Sequence, residues 1–179
     1  MAEFRRGVRL GLDWGDARIG VAACDRDGVL AYPLDTVQAG PDELVRLGEI
    51  IAEQEPLEVV VGLPRSMSGG DGPAAHKVRE RAAALAATVA VPVRLVDERL
   101  TTVTASRRLR EGGKRAKQQR AVIDAAAAAA ILEQAIAVER SGGRPPGELV
   151  SAPGRSDQGR LPDTGAPGGA QDTRGRPTA

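Results

Sequence analysis

Residues 9–22, RLGLDWGDARIGVA, read as a strand, a tight turn and a returning strand, and they restrict what the rest of the chain can build. Val8, Leu10 and Leu12 alternate with Arg9, Gly11 and Asp13, so one face of the first strand is apolar and the other ends in a carboxylate. Ile19, Val21 and Ala23 resume the alternation on the way back. Gly11 and Gly15 clear side chains from around Asp13, which leaves room for a metal, a phosphate or another backbone. A hairpin-capping aspartate fits the same residues, so Asp13 anchors an acidic site only if other acids join it.

The segments that follow supply those acids. A third strand runs from about Gly28 toward Val37, with Pro33 marking an irregular or edge position. Pro41 and Asp42 open an amphipathic helix with Leu44, Leu47, Ile50 and Ile51 on one stripe. The continuous run Val59-Val60-Val61-Gly62-Leu63 has the pattern of a strand buried on both faces, as in the parallel part of an α/β sheet. After it come a Ser/Gly loop, residues 65–72, and a helix carrying Val78, Ala82, Leu85 and Ala86 at helical spacing. A loop at the carboxyl end of a central strand is where α/β folds place ligands, and the helix N-terminus beside it suits a phosphate.

Val93-Arg94-Leu95-Val96 forms another short strand and delivers Asp97-Glu98-Arg99 at its carboxyl end. Neighbouring side chains of an extended chain point to opposite faces, so one of Asp97 and Glu98 reaches a common site directly. A helix follows from the Thr101-Thr102 cap to about residue 110, then a basic loop at 112–117 and a long helix from about 118 to 140. Asp124 falls on the apolar face of that last helix with Ala128, Ile131 and Ala135, where an uncompensated carboxylate is costly. Six successive alanines, 125–130, allow this helix to approach the sheet closely enough for Asp124 to join Asp13.

Composition bounds the remainder. The 39 residues from Ser141 onward hold nine Gly and six Pro and few large aliphatics, so a disordered tail is expected at 141–179 behind one domain at 1–140. A single cysteine, Cys24, excludes an intramolecular disulfide and fits a cytoplasmic protein as a buried strand residue. No run is expected to reach the length of a membrane span. The net charge of +1 hides a basic cluster between Arg107 and Arg120, which fits a polyanion partner; with three aromatic residues in all, base stacking has little to work with.

The order β-β-β-α-β-α-β-α-α, with an acid on the first strand, an acid after a later strand and an acid on the last helix, is that of a ribonuclease H-like fold. A mixed five-stranded sheet flanked by helices is expected. Clustered carboxylates call for one or two Mg²⁺ or Mn²⁺ ions, which suit oxygen ligands and phosphodiester hydrolysis. Asp13 would be central to the metals, with Glu98 and Asp124 completing the shell and Asp97 or Asp16 assisting; Arg18, Arg99, Arg107, Arg108, Lys114, Arg115 and Lys117 are the candidate contacts to a nucleic-acid backbone.

Three blocks also carry a family resemblance: Gly11-Leu12-Asp13-Trp14-Gly15 with 18–22; Val61-Gly62-Leu63-Pro64 with Gly69, Gly70, Gly72 and Pro73; and residues 96–102 with Lys117 and Asp124. Over residues 6–139 the chain resembles the YqgF (RuvX) family, the Holliday junction resolvase-like proteins associated with pre-16S rRNA processing in bacteria. The resemblance implies Asp13, Glu98 and Asp124 as the catalytic and metal-binding acids, and an rRNA precursor, on or off ribosomal particles, as the favoured substrate. Asp16-Ala17 departs from the small polar residue and lysine more usual at that turn, which bears on substrate contacts rather than on the acids. A DNA-junction nuclease, a noncatalytic RNA-binding or transcription-associated factor, and an actin-like ATPase are the competing readings; one ordered domain is short for the last. A monomer or weak dimer in the cytoplasm is expected.

Overall fold

The computed structural model describes residues 3–100 and 117–151. Three antiparallel strands open the chain: β1 (Arg9–Trp14), β2 (Arg18–Cys24) and β3 (Ala31–Gln38). Helix α1 (Glu43–Gln54), strand β4 (Glu58–Leu63), helix α2 (Pro73–Thr88) and strand β5 (Val93–Asp97) follow, and a single 3₁₀ turn spans Glu98–Leu100. Helix α3 (Lys117–Gly142) and a two-residue strand β6 (Glu148–Leu149) complete the described chain.

The sheet has six strands in the order β3-β2-β1-β4-β5-β6. β4 runs parallel to both β1 and β5, while the β1–β2, β2–β3 and β5–β6 pairs are antiparallel, so the sheet is mixed. β3 forms one edge, and its pairing with β2 shifts register between Val21 and Ala22, opposite the stretch that contains Pro33. A proline has no N–H for the ladder and is tolerated at such an edge.

Alternation along β1 and β4 divides the core in two. Leu10, Leu12, Trp14, Val59 and Val61 pack with Leu47 and Ile50 of α1 and Val78, Ala82 and Leu85 of α2. The opposite face is covered by α3, whose Ala128, Ile131, Leu132 and Ala135 are buried against Ala22, Cys24 and Val60. The approach is close because glycines and alanines meet there: a Cβ added at Gly11 would lie 2.7 Å from the Ala128 carbonyl oxygen and 2.9 Å from Leu132 Cβ. Both faces of β1 are thus inside, and Arg9, on the polar side of its alternation, is fully buried.

Arg9 is compensated by a network at the amino end of β1. Its Nη2 donates to Glu139 of α3 at 2.9 Å and its Nε to Glu58 of β4 at 3.3 Å; both carboxylates are almost fully buried. Arg5 donates to the same two acids at 2.8 Å, Arg94 donates to Glu58 at 2.9 Å, and the Phe4 ring covers the Arg9 and Arg140 guanidiniums. Buried charges in such numbers persist only when each is paired.

Two expectations need correction. The sheet has a sixth strand, because residues 141–151, assigned to the tail, finish α3 and then return along β5, with the Val150 amide donating to the Val93 carbonyl at 2.9 Å. Gly143 and Gly147, both at positive φ, make that reversal, so glycines that resemble a disordered composition serve as turns. Second, one segment, Arg120–Gly142, is long and apolar enough by length and composition to cross a membrane; its alanines raise its apolarity, and its apolar face is spent on the sheet. The Leu44, Leu47, Ile50 and Ile51 stripe packs on the core as expected, and Glu43 is buried beside it at the start of α1, held by the Gly40 amide at 3.0 Å and by Arg81 at 3.7 Å. The helix expected at 101–110, the basic loop at 112–116 and residues 152–179 lie outside the described residues.

Candidate active site

At the carboxyl end of β1, Asp13 points to the α3 face of the sheet and is 2% exposed. Its antiparallel neighbour on β2 is Gly20. On the other side, where Leu12 is paired with Val61, the next position along β4 is Gly62. Asp13 therefore stands between two positions without side chains, and each gap is occupied by an element that carries another acid.

Over Gly20 lies the backbone of α3 at Asp124: an added Cβ would fall 1.9 Å from the Asp124 carbonyl oxygen and 2.8 Å from the Ala125 nitrogen. The Thr36 hydroxyl, donating to the Ala121 carbonyl at 2.9 Å, ties the same part of α3 to β3. Over Gly62 lies the Glu98 side chain, its Oε1 2.7 Å and its Cγ 3.0 Å from an added Cβ, with Ile131 Cδ1 at 2.5 Å. Glu98 and Asp124 are 6% and 8% exposed. The structure thus brings Asp13, Glu98 and Asp124 to one end of one sheet face.

Of the adjacent pair, Glu98 turns inward and Asp97 turns away. Asp97 is bound by Arg99 Nη2 at 2.6 Å and Nε at 3.0 Å, and these charge-assisted hydrogen bonds hold its carboxyl below the usual range. Arg99 in turn lies beside Gly69 of the 65–72 loop. Arg18 donates from Nε to Asp124 Oδ2 at 3.0 Å, both side chains being largely buried. Asp16 is exposed at the β1–β2 turn and faces Lys77 at 3.5 Å. Among the described residues no three acids, histidines or cysteines converge at metal-coordinating distance, and Asp124 is engaged by a guanidinium. Arg107, Arg108, Lys114 and Arg115 lie outside the described residues; Lys117 opens α3.

An open cleft of about 550 Å³ adjoins the acids, between the β1–β2 turn, the first turns of α2 and the start of the described part of α3. Asp124 and Arg18 line it together with Lys77, Arg81 and Arg120. Arg81 donates to the Gly15 carbonyl at 3.1 Å, which fixes the turn against α2. Trp14 also lines the cleft, and its indole N–H is buried with no acceptor among the described residues, a state that costs about 1–3 kcal/mol. Lys77 and Arg81 are contributions that the sequence motifs do not reveal. Their visible trace is modest: Lys77 and Arg81, like Arg120 and Asp124, stand four residues apart on one helix face.

The family model for RuvX, described as Holliday junction resolvase, matches residues 7–137. The chain belongs to the RuvX family. A Streptomyces coelicolor protein described as "Putative pre-16S rRNA nuclease" is 60% identical over 150 residues, covering 82% of this chain and 90% of the relative. A Nocardioides protein with the same description is 57% identical over 153 residues, covering 82% and 98%. Among solved structures, Thermus thermophilus RuvC is similar at a TM-score of 0.50 and 18% identity, over 78% of this chain and 99% of that one. The similarity in fold agrees with the ribonuclease H-like arrangement of sheet and helices. This RuvX protein is accordingly an enzyme of the nuclease class, a hydrolase of phosphodiester bonds.

Proposed function

We propose that this RuvX protein is a divalent-metal-dependent nuclease that processes the 5′ end of precursor 16S rRNA in the cytoplasm, and that Asp13, Glu98 and Asp124 are its catalytic acids. The observation that carries the reading is the pair of glycine gaps flanking Asp13, one filled by Glu98 and the other by the Asp124 segment of α3. Strands and helices with ordinary side chains at those positions would keep the three acids apart.

The donor set fits Mg²⁺ or Mn²⁺. Three carboxylates offer hard oxygen ligands, and their burial makes an ionised cluster unfavourable without a cation. When bound, such an ion supplies an activated water and charge stabilisation at the phosphorus. Asp13 is the fixed member, because its strand is hydrogen-bonded on both sides. Glu98 and Asp124, on a 3₁₀ turn and a helix, would hold the ion together with Asp13. Arg18, beside Asp124, and Arg99 are assigned to substrate phosphates, and Arg107, Arg108, Lys114, Arg115 and Lys117 to the same basic role. The histidine of the chain, His76, is exposed on α2, so proton transfer is assigned to the carboxylates and water.

Relatives described as pre-16S rRNA nucleases, matched over most of their length, support rRNA as substrate, with ribosomal particles as the setting. The family description favours a four-way DNA junction as the rival substrate. The deciding experiment is cleavage of a structured precursor-rRNA 5′ end with Mn²⁺ or Mg²⁺, beside Asp13→Asn and a chelator control, with junction DNA at the same salt. Cleavage of the RNA that both controls abolish supports the reading. Unimpaired cleavage by Asp13→Asn refutes the site, preferential junction cleavage refutes the substrate, and tight chelator-independent RNA binding without cleavage favours a noncatalytic factor.

A further inference from the structure

We propose that the cleft beside the acids is a second, separate phosphate site, which grips a phosphate of the bound strand other than the one being cut. The inference deepens the nuclease reading and rests on it for the identity of the strand. Its residues are Lys77 and Arg81 of α2, Arg120 of α3, the amino-terminal turn of α2 and Trp14.

Four independent features converge on one anion. First, the cleft is lined by four cations, Arg18, Lys77, Arg81 and Arg120, against two acids, Asp16 and Asp124. Second, α2 is a 16-residue helix whose amino end is left uncapped: Gly72 at the cap has no side chain to fold back, Pro73 follows, and no acid stands in the first turn. The partial positive charge of such an end is matched by an anion rather than by the protein. Ala74, in that first turn, lines the cleft. Third, Arg81 is held in place by the Gly15 carbonyl and by Glu43, so this cation is already positioned before anything binds. Fourth, Trp14 is among the residues lining the cleft, and its buried indole N–H has no acceptor among the described residues. Buried donors are nearly always paired, and an oxyanion is an acceptor that would answer this one.

Asp124 lines the cleft and is also one of the proposed catalytic acids, so a phosphate in the cleft is continuous with a strand crossing the acids. A phosphodiester inside the strand and a phosphomonoester at its 5′ end share this chemistry. Apart from Asp124 and the exposed Asp16 of the β1–β2 turn, the charged lining of the cleft is cationic, and neither Asp13 nor Glu98 lines it.

The test is binding in excess chelator, so that no cleavage intrudes. The probe is one oligoribonucleotide made with a 5′-phosphate and with a 5′-hydroxyl, titrated at several salt concentrations and followed by its own fluorescent label and by Trp14, the single tryptophan of the chain. The double variant Lys77→Ala/Arg120→Ala is expected to flatten the plot of log affinity against log salt by about 0.7 for each cation removed. The charge-keeping pair Lys77→Arg/Arg120→Lys is expected to retain most of the slope, and Trp14→Phe to bind more weakly with an unchanged slope. A 5′-phosphate preference that vanishes in the double variant assigns the cleft to the strand end; equal losses for both probes assign it to an internal phosphodiester. An unchanged slope in the double variant, or an equal loss in the charge-keeping pair, overturns the proposal. Lys77 is mostly exposed, so its replacement leaves the fold intact. Because chelated binding needs no catalysis, failure of Asp13→Asn to abolish cleavage would remove the acid assignment without touching this result, and the converse holds.

Discussion

Gly20→Ala is the sharpest test of how the site is assembled. A methyl group at Gly20 would sit 1.9 Å from the carbonyl oxygen of Asp124 and 2.3 Å from its carbonyl carbon. Ordinary contact begins near 3.4 Å, so β2 and α3 would have to part by about 1.5 Å, and the obstacle is helix backbone that no rotamer change can move. The separation would also loosen the packing of Ala128 and Leu132 over Gly11. We expect a loss of about 3 kcal/mol, the upper end of the range for overpacked cores. With a urea m-value of about 2 kcal/mol/M, the unfolding midpoint should fall by about 1.5 M at unchanged m. Gly62→Ala is the matched control. Its new methyl meets the ends of two flexible side chains, Ile131 Cδ1 and Glu98 Oε1, so stability should fall by less than half as much while Glu98 is displaced and cleavage is lost. A Gly20→Ala midpoint within about 0.5 M of the unaltered protein would refute the close approach of α3 to the sheet, and with it the placement of Asp124.

Other outcomes follow from the same geometry. Glu98→Gln is expected to cost on the order of a hundredfold or more in metal-dependent cleavage, equivalent to about 3 kcal/mol of lost transition-state stabilisation, because Glu98 faces Asp13. Asp97→Asn, which loosens Arg99 alone, should cost less than about tenfold in the same single-turnover assay. Glu139→Ala leaves the Arg9 guanidinium buried with Glu58 as its remaining carboxylate partner, and should destabilise by about 3–5 kcal/mol in urea unfolding. Burial works to raise the Glu139 carboxyl, but hydrogen bonds and charge from Arg5 and Arg9 outweigh it and hold the group below its ordinary value of 4.5. A depressed carboxyl contributes stability that is fully present above that value and is lost as pH falls through the folded one. Thermal unfolding should therefore become acid-sensitive below about pH 4.5, and Glu139→Gln should flatten that dependence.

Much of this was legible in the residues. The alternation in β1 and the continuous run in β4 place a hairpin beside a parallel strand, and the alanines at 125–130 announce a helix that can lie close to the sheet. That one of the neighbouring Asp97 and Glu98 reaches the site follows from their diverging side chains, and the family resemblance picks Glu98; the structure adds that Glu98 begins a 3₁₀ turn while Arg99 binds Asp97. Arg9 and Glu58 were less readable. Each is an ordinary surface residue by type, and their burial depends on Glu139, more than 80 residues beyond Glu58, arriving on α3. Strand β6 escaped notice because two residues carry no periodicity and their glycine-rich flanks resemble a linker. The cleft was hidden for a related reason: Trp14, Lys77, Arg81 and Arg120 come from three separate elements.

Helix α3 is fastened differently at its two ends. Near its carboxyl end Glu139 is locked into the buried ionic network, while fifteen residues earlier, about 22 Å along the axis, Asp124 rests on the bare backbone of Gly20. Thr36 at Ala121 and Arg18 at Asp124 hold the acid end, so the helix is an arm between a buried ionic anchor and a lighter polar one. A tilt of about four degrees at the ionic anchor would move the acid end by about 1.5 Å, enough to change the spacing of the three carboxylates. A mutation in the Arg5–Arg9–Glu58–Glu139 anchor is therefore expected to alter the alignment of the acids about 22 Å away.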